Sequence, residues 1–157
     1  MKRFSILFAT GFGTGRFPIA PGTAGSAGAI ILLLAFRWVL LKAGVQVPLF
    51  LLCVLLAIVL YAGAIVCTAA EKELGKDNGR IVIDEMAGMW MALFMVPIRW
   101  DTVLIAFVVF RLLDISKIYP INKAEKIPEG WGVMMDDALA GIFTNLLVHG
   151  YVWVTGI

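Results

Sequence analysis

Nitrogen and sulfur ligands are scarce in this chain. One histidine, His149, and two cysteines, Cys53 and Cys67, are the entire supply of imidazole and thiol. Zinc sites are built largely from those groups, so zinc chemistry is a poor first reading. The two cysteines share one apolar segment and read as small buried hydrophobes. His149 is expected toward the membrane face opposite the acidic motifs and reads as structural or interfacial. Charge is scarce too. Charged residues make up 15% of the chain and apolar ones 61%, against about 25% and roughly 45–50% in soluble domains. That excludes an ordinary water-soluble globule. The net charge of +2 is small and scattered, which excludes a nucleic-acid partner. A cleavable leader is not expected either, because the apolar run after Lys2 and Arg3 is brief and ends among glycines.

What remains is a chain built for a bilayer. A spanning helix needs about 20 mostly apolar residues. Val47 to Ala70 carries no charge at all, Ala24 to Leu41 is interrupted only by Arg37, and Ala138 to Ile157 is again uncharged. Arg37 can snorkel from near a span end, and Tyr151 and Trp153 suit an interfacial belt. Two shorter runs, Met86 to Ile98 and Thr102 to Leu113, flank "RWD" and suggest a helical hairpin reaching the far side. The expectation is an all-α, multi-spanning membrane bundle of about four to five inserted helices, forming a single domain over residues 1–157. Five spans are favoured, with three or four as alternatives.

Charge sets the orientation. With the N-terminus inside, Lys2, Arg3, Arg16, Lys72, Lys76, Arg80, Arg111, Lys117, Lys123 and Lys126 fall on one side, and Arg37, Lys42 and Arg99 on the other. The basic side is expected to be cytoplasmic. The same side gathers the acidic pair Asp84–Glu85 in "RIVIDEMAGMW", Asp114 in "FRLLDISKIYP", the pair Asp136–Asp137 in "GVMMDDALAG", and a glycine-rich loop, "GFGTGRFPIAPGTAGS".

Each motif has a plainer explanation. Acids suit helix starts, which would account for both acidic pairs. Arg111, Asp114 and Lys117, spaced by three, would make a salt-bridge ladder. The glycine-rich loop could be a turn with an N-cap. It is neither a Walker A loop nor a dinucleotide fingerprint. The segment "NKAEKIPEGWG" reads as a solvated connector or a cover over a site.

Their convergence points further. Carboxylates are hard ligands suited to Mg²⁺, while Arg111, Lys117 and backbone N–H groups at a helix start suit phosphate. Ionisable groups at a membrane are functional candidates by default. Together they suggest phosphoryl chemistry on a lipid head group at a membrane face.

These four motifs, in this order and spacing from about Phe8 to Asn145, resemble the phosphatidylglycerophosphatase A family. The resemblance implies a bacterial inner-membrane, multi-pass, Mg²⁺-dependent phosphatase with its active site facing the cytoplasm. It would convert phosphatidylglycerophosphate to phosphatidylglycerol and inorganic phosphate. It carries catalytic and metal-binding roles onto Asp84, Glu85, Asp114, Asp136 and Asp137. The glycine-rich loop offers Gly13, Thr14, Gly15, Thr23 and Ser26 for substrate, joined by Arg111 and Lys117.

On this scheme one or two Mg²⁺ ions are held by Asp84, Asp114 and the Asp136–Asp137 pair. Glu85 is the first choice to orient or deprotonate water. An aspartyl-phosphate route stays open. Neither cysteine has an arginine six residues on, the Asp-x-Asp nucleophile of haloacid-dehalogenase phosphatases is missing, and no motif supplies a nucleophilic histidine. The alternatives are a CDP-alcohol phosphotransferase, whose signature is not found, and a small ion transporter, which would spread its acids through the membrane. The sequence leaves metal number, substrate breadth and homo-oligomer formation open.

Overall fold

The computed structural model describes residues 2–76 and 78–157, leaving Met1 and Asp77 outside. Every regular element among them is helical: α1 (Lys2–Ala9), a 3₁₀ turn (Gly11–Arg16), α2 (Pro21–Ala43), α3 (Leu49–Leu74), α4 (Ile83–Ala92), α5 (Trp100–Ser116), α6 (Ile121–Ala124) and α7 (Gly130–Thr155). Three of these, α2, α3 and α7, are long and apolar enough to cross a membrane, with 23, 26 and 26 residues. At about 1.5 Å per residue each exceeds a hydrocarbon core of about 30 Å.

The expected hairpin takes a less regular form. α4 has ten residues, about 15 Å or half the core. Beyond it the chain runs through Leu93 and Val96, both buried, before α5 begins. Non-helical backbone at this depth needs partners inside the protein. Asn145, midway along α7, donates its side-chain amide to the carbonyls of Ala92 (3.1 Å) and Phe94 (2.8 Å). It thereby satisfies the broken end of α4. His149 sits one turn later with Nδ1 3.0 Å from the Asn145 carbonyl, a structural contact as expected. At the far end, Tyr151 donates to Asp101 (3.2 Å), which ties the start of α5 to the end of α7.

α4 is the middle of the bundle, with Met86, Ala87, Gly88, Met89 and Ala92 all buried. It lies against α7 at close quarters. A Cβ on Gly88 would come 2.7 Å from the Asp137 carbonyl oxygen and from the Phe110 ring, and one on Gly141 would strike the Gly88 carbonyl. With no solvent to drive apolar burial between lipid-bathed helices, such small-residue contacts carry the packing. The glycine-rich loop is fastened to the chain leading into α4: Val82 donates to the Ala9 carbonyl (2.8 Å), and Gly15 leaves no room for a Cβ beside the Arg80 carbonyl. Cys67 is buried, but Cys53 is exposed on α3. The expectation that both were core residues therefore fails for Cys53, which sits on the outer face of a spanning helix.

Candidate active site

Asp84 and Glu85 occupy the first turn of α4, where the helix dipole favours acids. Asp136 and Asp137 do not fit that explanation. α7 starts at Gly130, so the pair lies in its second turn, and both residues are buried, 4% and 3% exposed. Gly130 permits that early start: its N–H is bound by Thr68 Oγ1 (3.0 Å), and a Cβ there would strike α3. A helix-start role cannot account for carboxylates placed this deep.

The two pairs face each other. Asp84, Glu85 and Asp137 each offer a carboxylate oxygen within 4.8 Å of the others. Asp84 Oδ1 and Glu85 Oε2 are buried with no hydrogen-bond partner. A cavity of about 160 Å³ opens beside them, lined by Asp84, Glu85, Asp114, Lys117, Glu125, Asp136 and Asp137, with Asn78, Gly79, Ile81 and Val133. Burial drives the Asp84 carboxyl well above its ordinary pKa, and the neighbouring Glu85 charge adds to this. Burial likewise pushes Glu85 up to about 7; its contact with Asp84 opposes the shift, and the charges of Asp137 and Asp114 reinforce it.

Two cations border this acidic wall. Arg111 pairs with Asp114 (2.7 Å), as the spacing suggested. Lys117 does not extend that ladder. It caps α5 in a left-handed conformation (φ 43°), which turns it away from the helix face. Its ammonium instead meets Asp136 (3.0 Å) and Glu125 (2.7 Å). Burial works against the Lys117 charge, but Glu125 and Asp136 outweigh it and hold its pKa above the usual lysine value.

Glu125 was not foreseen. It follows α6 in the segment read as a connector, where only folding shows that the buried Ile121 and Ala124 turn it toward the cavity. Asn78 was also missed, yet its side chain braces the loop, donating to the Leu74 carbonyl (2.8 Å) and accepting from the Arg80 N–H (3.1 Å).

The glycine-rich loop meets the site at one point. A Cβ on Gly22 would overlap Glu85 Oε1 and lie 3.1 Å from both terminal nitrogens of Arg111. Gly13, Thr14, Gly15, Thr23 and Ser26 do not line the cavity. Thr14 donates to the Gly11 carbonyl (3.0 Å), Ser26 is fully buried and donates to the Gly22 carbonyl (2.9 Å), and Thr23 is half-buried in the first turn of α2.

The charge inventory decides what such a wall can do. Asp84, Glu85, Asp114, Glu125, Asp136 and Asp137 stand against Arg111 and Lys117. Orphaned, buried carboxylate oxygens facing one another are stable as anions only beside added positive charge. The donor set is all oxygen, which fits a hard divalent cation.

Residues 7–152 match the family described as Phosphatidylglycerophosphatase A. The chain belongs to that family. Phosphatidylglycerophosphatase A of Escherichia coli is 38% identical, with 96% of this chain and 86% of that protein covered. Its Haemophilus influenzae counterpart is also 38% identical, covering 94% and 91%. A Bacteroides thetaiotaomicron protein, provisionally named a phosphatidylinositol-3-phosphatase, is 40% identical over 99% of this chain and all of its own length. No solved structure matches. Membership of the phosphatidylglycerophosphatase A family makes the chain an enzyme, a phosphoric monoester hydrolase.

Proposed function

We propose that this protein hydrolyses phosphatidylglycerophosphate to phosphatidylglycerol and inorganic phosphate, with Mg²⁺, at the cytoplasmic face of a bacterial inner membrane. The carrying observation is the convergence of Asp84, Glu85 and Asp137 within 4.8 Å, with two of their oxygens buried and unpartnered. The bias of lysine and arginine toward this end supports the cytoplasmic orientation. Asp84 and Asp137 are the residues best placed to hold the cation, with Asp136 and Asp114 behind them. When bound, the ion would supply Lewis-acid charge for the phosphoryl oxygens and acidify water nearby.

The protein's own groups do the rest. Glu85, beside Asp84 and Asp137, takes a proton from the attacking water. The water oxygen forms a new P–O bond as the P–O bond to the glycerol oxygen breaks, and the departing alkoxide recovers the proton that Glu85 took from water. Lys117 and Arg111 offset charge on the transferring group. Lys117 can do so because Asp136 and Glu125 hold it at the cavity rim. Gly22 gives Glu85 and Arg111 room to stand together. Gly13, Thr14, Gly15, Thr23 and Ser26, which do not line the cavity, are left without a substrate contact, and the loop's part in the site falls to Gly22. The diacyl chains remain in the bilayer.

The Bacteroides relative's name favours a second substrate, a phosphoinositide phosphorylated on the ring. Phosphate release from detergent micelles of phosphatidylglycerophosphate and of phosphatidylinositol 3-phosphate, measured side by side, separates the two. The proposal expects kcat/KM to favour phosphatidylglycerophosphate. A preference for the inositol lipid would replace it.

A further inference from the structure

At the end of the bundle away from the carboxylates lies a groove of about 590 Å³ between α2, α3 and the break after α4. It shares no lining residue with the acidic cavity. Its walls are apolar, with Leu33, Phe36, Leu55, Trp90 and Met95 among them, and one charged group, Arg37, reaches it. Arg37 stands six residues before the last residue of α2, about 9 Å inside the helix end. It has no carboxylate partner among the described residues. Asp101, in the first turn of α5 at this end, is taken by Arg99 (3.1 Å). An exposed arginine near the end of a spanning helix, with no carboxylate holding it, can snorkel to the head-group level and meet a lipid anion there.

One wall residue of the groove is held by a hydrogen bond and another sits in a constrained backbone conformation. Trp90 is pinned by its indole N–H to the Ala29 carbonyl (2.8 Å), and Met95 is held in the left-handed region (φ 59°) with its side chain exposed. Its volume falls within the range of ligand sites, and its long apolar walls suit a hydrocarbon chain.

We infer that this groove is a lipid site, in which an anionic phospholipid of the leaflet opposite the carboxylates seats one acyl chain and pairs the net negative charge of its head group with Arg37. The bilayer supplies such a lipid continuously, and the pairing relieves the arginine at the depth where it sits. The site is separate from hydrolysis, since no group proposed for the reaction touches it.

Native mass spectrometry of the purified protein, titrated with dioleoyl phosphatidylserine and in parallel with dioleoyl phosphatidylcholine, tests this. Neither lipid is substrate or product of the proposed reaction. The wild type should retain one phosphatidylserine about ten times more tightly than phosphatidylcholine, the scale of a single charge-assisted contact. Arg37→Gln should abolish the preference, and Arg37→Lys should keep part of it. Leu55→Trp, which fills the groove, should weaken both lipids. Phosphate release should stay at the wild-type rate in Arg37→Gln, which also shows that it folds. Equal retention of phosphatidylserine by wild type and Arg37→Gln would overturn the assignment, as would no preference between the two lipids in the wild type.

Discussion

Gly22→Ala isolates the chemistry from the fold. The new methyl group would overlap Glu85 Oε1 and crowd both terminal nitrogens of Arg111 at 3.1 Å. These are the far ends of long side chains, so the backbone need not move. Glu85 must retreat instead, by about 1 Å, and a displacement of that size at a reacting group costs on the order of 100-fold in rate. Alanine in the first turn of α2 costs the helix nothing and leaves the unfolded chain less freedom than glycine does, so stability should hold or rise by about 0.5 kcal/mol. Gly28→Ala is the matched control on the same helix, where a Cβ meets only Thr14 Cγ2 at an ordinary 3.4 Å. The assay is phosphate release from phosphatidylglycerophosphate in detergent micelles, paired with thermal unfolding of both variants. The expected result is a collapse of kcat in Gly22→Ala alone, at an unchanged melting temperature. If Gly22→Ala were as active as Gly28→Ala, Glu85 would not be the group that handles the proton.

Further outcomes follow from the same geometry. Mg²⁺ should raise the unfolding temperature of the wild type, by about 2.7 kcal/mol of stabilisation at 100 times its Kd. Asp84→Asn and Asp137→Asn should lose that response while unfolding at a higher temperature than wild type in a chelator, because each removes a buried like charge. Asn145→Ala should destabilise the protein by about 1–3 kcal/mol, by stripping a donor from two carbonyls at the end of α4, and should lower kcat less than stability. Gly88→Ala should cost about 1–3 kcal/mol or more through overpacking against Phe110 and the Asp137 carbonyl, read by denaturation in detergent. Lys117→Met should raise KM more than Glu125→Gln does, since the first removes the cation and the second only its tether.

The membrane bundle was legible because hydropathy is a composition signal that survives any detail of packing. α2, α3 and α7 follow directly from their apolar runs. α4 was harder, because a ten-residue helix ended by its neighbours carries no stop signal of its own; Asn145, more than fifty residues on, supplies the cap. The five acids stood out because charges are rare in such a chain, and the structure brings three of them into one ligand-sized cluster. Their surroundings were not legible. The left-handed turn at Lys117 and the turn of Glu125 toward the cavity depend on tertiary contacts that spacing does not encode. The glycine-rich loop signalled close approach, but sequence could not say that the approach at Gly22 is to Glu85 and Arg111.

The central claim is that a buried carboxylate cluster holding Mg²⁺ removes phosphate from a membrane lipid. Phosphate release from phosphatidylglycerophosphate by the purified protein, with Mg²⁺ and with a chelator, tests it alongside Asp84→Asn. The account predicts turnover with Mg²⁺, none with chelator, and recovery on adding the ion back to the wild type but not to Asp84→Asn. Undiminished turnover in chelator, or full activity in Asp84→Asn, would contradict it.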